Sequence, residues 1–128
     1  MNAQKKAALI ARLKAEGRID ARELFVFNNA KILPGGSFGL CLVSIADTTL
    51  YISDTDMASN VGRLIAAIPF VEMQGFKAST FPLTPYAKFL WNGEPVHLSG
   101  ISKEMLAAIG LIALLVFTLV KRKKSKTK

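Results

Sequence analysis

"FGLCLVSIADTTLYISDTD", residues Phe38 to Asp56, is the stretch whose reading decides the fold. Two runs rich in Val, Ile, Leu, Phe and Tyr flank a polar break at Asp47-Thr48-Thr49. Such side chains favour a pleated, half-buried surface, and each run has the length of a strand. The stretch therefore predicts two adjacent antiparallel strands, roughly Phe38 to Ala46 and Thr49 to Ser53. Immediately upstream, "LPGGS" marks a boundary, because Pro34 restricts the backbone while Gly35 and Gly36 permit conformations other residues avoid.

Towards the N-terminus, "ELFVF" reads as an earlier strand and Asn28-Asn29 as a turn after it. Residues 1–17, "MNAQKKAALIARLKAEG", read as an amphipathic helix ending at Gly17, with Ala7, Leu9, Ile10 and Leu13 as its apolar positions. Arg12, Lys14 and Glu16 interrupt the apolar segment a signal peptide requires. The alternating charges of "GRIDARE" suggest a solvated face.

Residues 54–68 admit two readings. Asp54 or Asp56 can cap a helix bearing Met57, Val61, Leu64, Ile65 and Ile68 on one face, or Met57 to Asn60 form a loop before a strand in "GRLIAAI". Beyond Pro69, "FVEMQGFKASTFPL" suggests a strand broken near Gly75. The clearest hairpin is "YAKFLWNGEPVHL", because Asn92-Gly93 suits a type I′ turn whose two central residues take positive φ. Pro95 lacks an amide proton, so it belongs at an edge or at a non-hydrogen-bonding position.

The order of these pieces resembles the small bacterial PH-like and GRAM-like domains. The resemblance is carried by "FGLCLVSIADTTLYISDTDM", "IPFVEMQGFKAS" and "KFLWNGEPVHL" with the helix that follows, over about residues 24 to 110. It implies an α+β fold: a small, strongly bent antiparallel sheet or PH-like barrel, with a short N-terminal helix and a long hydrophobic C-terminal helix. It also implies a strand over Gly62 to Ile68, and binding of lipid headgroups or protein rather than catalysis. Arg63, Lys77 and Lys88 are the basic residues such a domain offers to a headgroup.

The last segment, "KEMLAAIGLIALLVFTLVKRKKSKTK" from Lys103, sets the expected location. Ser102 suits an N-cap, and the sixteen residues from Met105 to Val120 carry no charge. A helix of that length spans roughly 24 Å, short of the ~30 Å hydrocarbon layer, although flanking lysines can snorkel. Its apolar residues cover every direction, whereas a helix closing a soluble domain shows a polar outer face. Residues 102–120 therefore read as a membrane span, 18–101 as the β-rich domain and 121–128 as a basic tail.

Charge distribution supports that division. The 128 residues carry a formal net charge of +8, but six of the 17 Lys and Arg lie in residues 121–128. The rest of the chain holds 11 basic against 9 acidic residues, a net of +2. Basicity confined to a tail suits anionic lipid headgroups at least as well as phosphate backbones, and Lys121, Arg122, Lys123, Lys124, Lys126 and Lys128 are the expected lipid contacts, with no nucleic-acid partner expected. The positive-inside rule places this tail in the cytoplasm, whereas a cytoplasmic β-rich domain avoids translocating a folded unit; the second arrangement is preferred.

Chemistry-bearing patterns are sparse. Cys41 stands alone in an apolar run, which excludes an intrachain disulfide and suggests a buried thiol. His97 is the sole histidine, no HExxH cluster exists, and "LPGGSFG" lacks the GxxxxGKS/T phosphate cradle. Asp54 and Asp56 lack the further ligands of a calcium loop and suit turn formation or capping. No catalytic residue, metal site or cofactor is expected. The sequence thus points to a non-enzymatic, membrane-tethered lipid- or protein-interaction module. The alternative is a homo-oligomeric structural protein whose C-terminal helices share a core.

Overall fold

The structure, a computed structural model, describes residues 2–36, 39–55, 61–79 and 85–126. It is α+β: helix α1 (Ala3–Ala15), strands β1 (Phe25–Ile32), β2 (Gly39–Ala46), β3 (Thr49–Thr55), β4 (Val61–Pro69), β5 (Gln74–Ser79), β6 (Tyr86–Trp91) and β7 (Glu94–Ser99), then helix α2 (Lys103–Lys126). The strands form one antiparallel sheet in the order β4-β3-β2-β1-β7-β6-β5. Two meanders, β1 to β4 and β5 to β7, are thereby joined through the β1–β7 pair.

Both faces of the sheet's β1–β3 region are covered, which explains the continuous apolar run in β2. On the inner face, Val43, Ile45, Leu50, Ile52, Ile68, Phe89 and Leu98 form the main core. On the outer face, Leu42 and Val61 meet Leu9 and Leu13 of α1, with Phe25 and Phe27 packed against them. Because Cys41 to Ile45 is buried residue after residue, β2 shows none of the alternation of a one-sided sheet. The Asn2 side chain caps α1 by accepting from Lys5 N at 2.8 Å, and Gly17 leaves the helix at φ +70.

The β2–β3 hairpin forms as expected, with Ala46 opposite Thr49 and Asp47 at φ 55. So does the β6–β7 hairpin, closed by Trp91 opposite Glu94, with Asn92 and Gly93 at φ 53 and 78. Counting from that hydrogen-bonded closing pair, Leu90 opposite Pro95 is a non-hydrogen-bonded pair, so the missing amide proton costs the β6 ladder nothing. On the other side of β7 the β1 partners begin only at His97. Residues 61–69 form the strand that the family resemblance implied, and the cap-and-helix alternative is not adopted. Asp54 lies in β3; Asp56 and Met57 to Asn60 lie outside the described residues.

Three expectations are corrected. Asn28-Asn29 is not a turn: β1 continues through both, Asn28 opposite Cys41 and Asn29 opposite Leu40. An unbroken six-residue ladder with β2 outweighs the turn preference of two asparagines.

The "GRIDARE" segment is not simply solvated. Arg18 donates to Ser53 Oγ at 3.0 Å and Gly62 O at 3.2 Å, meeting carbonyl and hydroxyl groups where the β3–β4 register shifts. Asp20 Oδ2 accepts from Arg22 Nη2 at 2.6 Å and from Asp47 N at 2.7 Å, while Arg22 Nη2 also donates to Asp47 O at 2.7 Å. This clamp pins the β2–β3 turn. The Arg22 side-chain hydrogen bond, opposed by desolvation and aided by the Asp47 amide, lowers the Asp20 pKa to about 2. Because the folded value is depressed, the stabilisation is present above the unfolded value of about 4 and is lost as pH falls towards 2. Arg22 is two-fifths exposed, so screening reduces the effect. Asp20→Asn should cost about 1 kcal/mol at pH 7, and urea titrations of the two proteins should converge near pH 2.

The third correction concerns α2. It does not leave the domain: Met105, Leu106, Ile109, Ile112, Ala113 and Val116 are buried in the main core, and the helix also contacts the single turn Phe70–Glu72, whose Phe70 is buried. Among the described residues no helix is long and apolar enough to cross a membrane. The physical reason is packing, since among the described residues α2 is the only helix in the main core, and the apolar side chains it covers would meet water without it. The expected N-cap is present, Ser102 Oγ accepting from Met105 N at 3.1 Å.

Candidate functional site

Two surfaces stand out. The first is the outer face of α2. With one side of the helix on the sheet, Ala107, Leu111, Leu114, Leu115 and Thr118 face outwards, and the leucines are 60, 64 and 56 % exposed respectively. Leucines at i, i+3 and i+4 make one stripe along a helix. Beside it, Leu115, Val116 and Thr118 line a groove of about 410 Å³ with Ile112, Arg22, Asp47 and Thr48. The helix backbone continues through Lys121, Arg122, Lys123, Lys124 and Lys126, so the basic segment follows the stripe on the same helix. Lys128 lies outside the described residues.

The second surface is the outer face of the β5–β6–β7–β1 half, which α1 does not cover. Here Lys77 stands opposite Lys88, Lys88 opposite His97, and His97 opposite Ile32, so one cross-strand row carries three basic side chains. A cleft of about 300 Å³ follows this row, lined also by Leu90 and Pro95. Among the described residues no carboxylate lines it, and neither Lys31, Lys77 nor Lys88 forms an ion pair with another described residue. Lys88 Nζ lies 5.9 Å from the centre of the Tyr86 ring, and the rings of Tyr86 and His97 are 5.6 Å apart. Partial burial, then the charges of Lys31 and Lys88, lower the His97 pKa.

Of the three basic residues singled out in the sequence, the fold thus brings Lys77 and Lys88 together and sends Arg63 elsewhere. Arg63 sits on edge strand β4, 87 % exposed, with its Nε 3.8 Å from Asp54 Oδ2. Lys31 and His97 were missed as companions of the lysines. The hairpin held half of that information: if Trp91 pairs with Glu94, three steps back along both strands puts Lys88 opposite His97. Lys77 joins them through the β5–β6 register, which no tight turn announces.

The remaining chemistry is muted. Cys41 is buried, and desolvation pushes its thiol up to about 12, so it is not a nucleophile near neutral pH. Among the described residues no group of three or more His, Cys, Asp or Glu side chains is placed to hold a metal ion. No family model matches the chain, and no curated protein matches it.

Proposed function

We propose that the chain is a non-enzymatic membrane-surface module, with its β-rich domain held against an anionic bilayer by the outer face of α2 and the basic segment after it. The observation that carries this reading is the exposed stripe of Leu111, Leu114 and Leu115 on the same helix as Lys121 to Lys126. A helix lying in the interface puts its apolar stripe among the acyl chains and its cations among anionic headgroups. α2 meets both requirements while its other side remains the domain's core. Anionic lipid is concentrated on the cytoplasmic leaflet, which agrees with a cytoplasmic β-rich domain. A single sheet of two antiparallel meanders under a C-terminal helix supports the PH-like and GRAM-like resemblance, and with it binding rather than catalysis.

A single-pass arrangement would require α2 to withdraw its buried side from the sheet; the in-plane arrangement leaves the core intact and is the one proposed. The test is flotation of the full chain with phosphatidylcholine vesicles, with and without phosphatidylserine. Binding should require the anionic lipid and weaken as salt is raised. No flotation at low salt, with a detergent-free dimer on light scattering, would replace this reading with the homo-oligomer, because the same leucine spacing can seat a second copy.

A further inference from the structure

The basic row on the outer face is distinct from the α2 surface and asks for its own explanation. Like charges directly opposite one another on a sheet are destabilising. Here Lys77 faces Lys88 across a strand pair, Lys88 faces His97, and Lys31 adds a further positive charge near the ring. Lys14 shows the relief that a nearby carboxylate gives, with Glu23 at 2.8 Å. The row has no such partner among the described residues, yet it borders a formed concavity with an apolar floor. Ile32 and Leu90, 39 and 41 % exposed, flank the basic groups.

We propose that this cleft binds a phosphate-bearing small molecule, the phosphate resting between Lys77, Lys88 and His97 with Lys31 near by, and its organic part lying on Ile32, Leu90 and Pro95. A multiply charged oxyanion turns the repulsion within the row into attraction, and lysine ammonium and imidazole N–H groups are suitable donors to its oxygens. The apolar floor favours an organic phosphate over the free ion, although about 300 Å³ is small for a ligand site and limits the appendage in size. The same chemistry occurs in soluble phosphorylated metabolites and in lipid headgroups. Position favours the soluble source: α2 covers the inner face of the sheet and the cleft opens on the outer face, so a flat bilayer against α2 does not reach it.

Pyrophosphate is the first probe, added to the full chain and followed by amide and imidazole NMR at constant ionic strength. The expected result is saturable shifts at Lys77, Lys88 and His97, with the His97 titration moving upwards because a bound anion favours the imidazolium. Among the described residues, Lys31 from β1, Lys88 and Tyr86 from β6 and Lys77 from β5 are the groups around that ring, and none of them is a carboxylate. Lys88→Gln should reduce the affinity at least about tenfold, as expected for loss of one charge-assisted contact. The same variant should melt about 1 to 4 °C higher without ligand, since one repulsion is gone. That gain shows that lost binding is not lost folding. Soluble phosphoesters and vesicles bearing phosphorylated headgroups form the next two arms, and shifts at His97 with the first but not the second identify the soluble source. Vesicles alone producing them would assign the cleft to a headgroup and overturn the soluble assignment. Shifts confined to residues 121–128, or reproduced by chloride at equal ionic strength, would overturn the proposal altogether.

Discussion

Ile109→Asp is expected to destabilise the domain by more than about 4 kcal/mol, enough to unfold it or release α2, whereas Leu114→Asp on the same helix should change stability by no more than about 0.5 kcal/mol. The difference follows from which side of α2 each residue occupies. Ile109 is 1 % exposed in the main core and Leu114 is 64 % exposed. At position 109 a carboxylate would lose its hydration and leave the volume of a large side chain unfilled; at 114 it would stay in water. Urea denaturation at pH 7 measures both. Were α2 to project from the domain, the two substitutions would have equal and small effects, so equal midpoints would overturn the packing described here.

The second large effect concerns the bilayer. Replacing Leu111, Leu114 and Leu115 together by Ser should lower partitioning into anionic vesicles by about 100-fold or more, since an interfacial helix loses about 1 kcal/mol for each partly inserted leucine. The domain should keep its stability, because these side chains contribute to its solvent-facing surface and not to its core. Vesicle titration with urea denaturation as a companion separates the two properties. Wild-type partitioning by the triple variant would show that the leucine face does not enter lipid. Salt provides the complementary measurement: each Lys or Arg held near an anionic surface contributes about 1 kcal/mol, and raising ionic strength should remove most of that share while leaving the leucine share. A residual, salt-resistant affinity in the wild type that vanishes in the triple variant is the expected pattern.

Much of the fold was readable wherever local chemistry and tertiary packing agree. The Asn92-Gly93 pair and the Asp47-Thr48 break specify tight turns by themselves, and Ser102 and Gly17 mark helix ends. Misreadings arose where one preference yields to another. Asn28-Asn29 favours a turn in isolation, but the neighbouring β2 offers a continuous ladder. The charges of "GRIDARE" look like surface decoration until Asp47 and Ser53 are brought against them from 27 and 35 residues away. The basic cleft was half legible, because Lys88 and His97 are related by a two-residue turn, whereas Lys77 and Lys31 reach them through strand registers that the linear pattern does not specify.

The C-terminal helix shows the division most clearly. Sequence by itself determined a helix over residues 102–120, capped at Ser102 and apolar on all sides, with a basic tail after it; the structure carries the helix on to Lys126. Sequence did not determine what surrounds that helix, because periodicity separates a buried stripe from a polar face only when a polar face exists. Apolar burial is non-directional, so a core and a lipid phase attract the same leucines and isoleucines. Only the folded sheet, whose apolar inner face packs against one side of the helix, assigned Met105, Ile109, Ile112 and Val116 to the core and left Leu111, Leu114 and Leu115 outside.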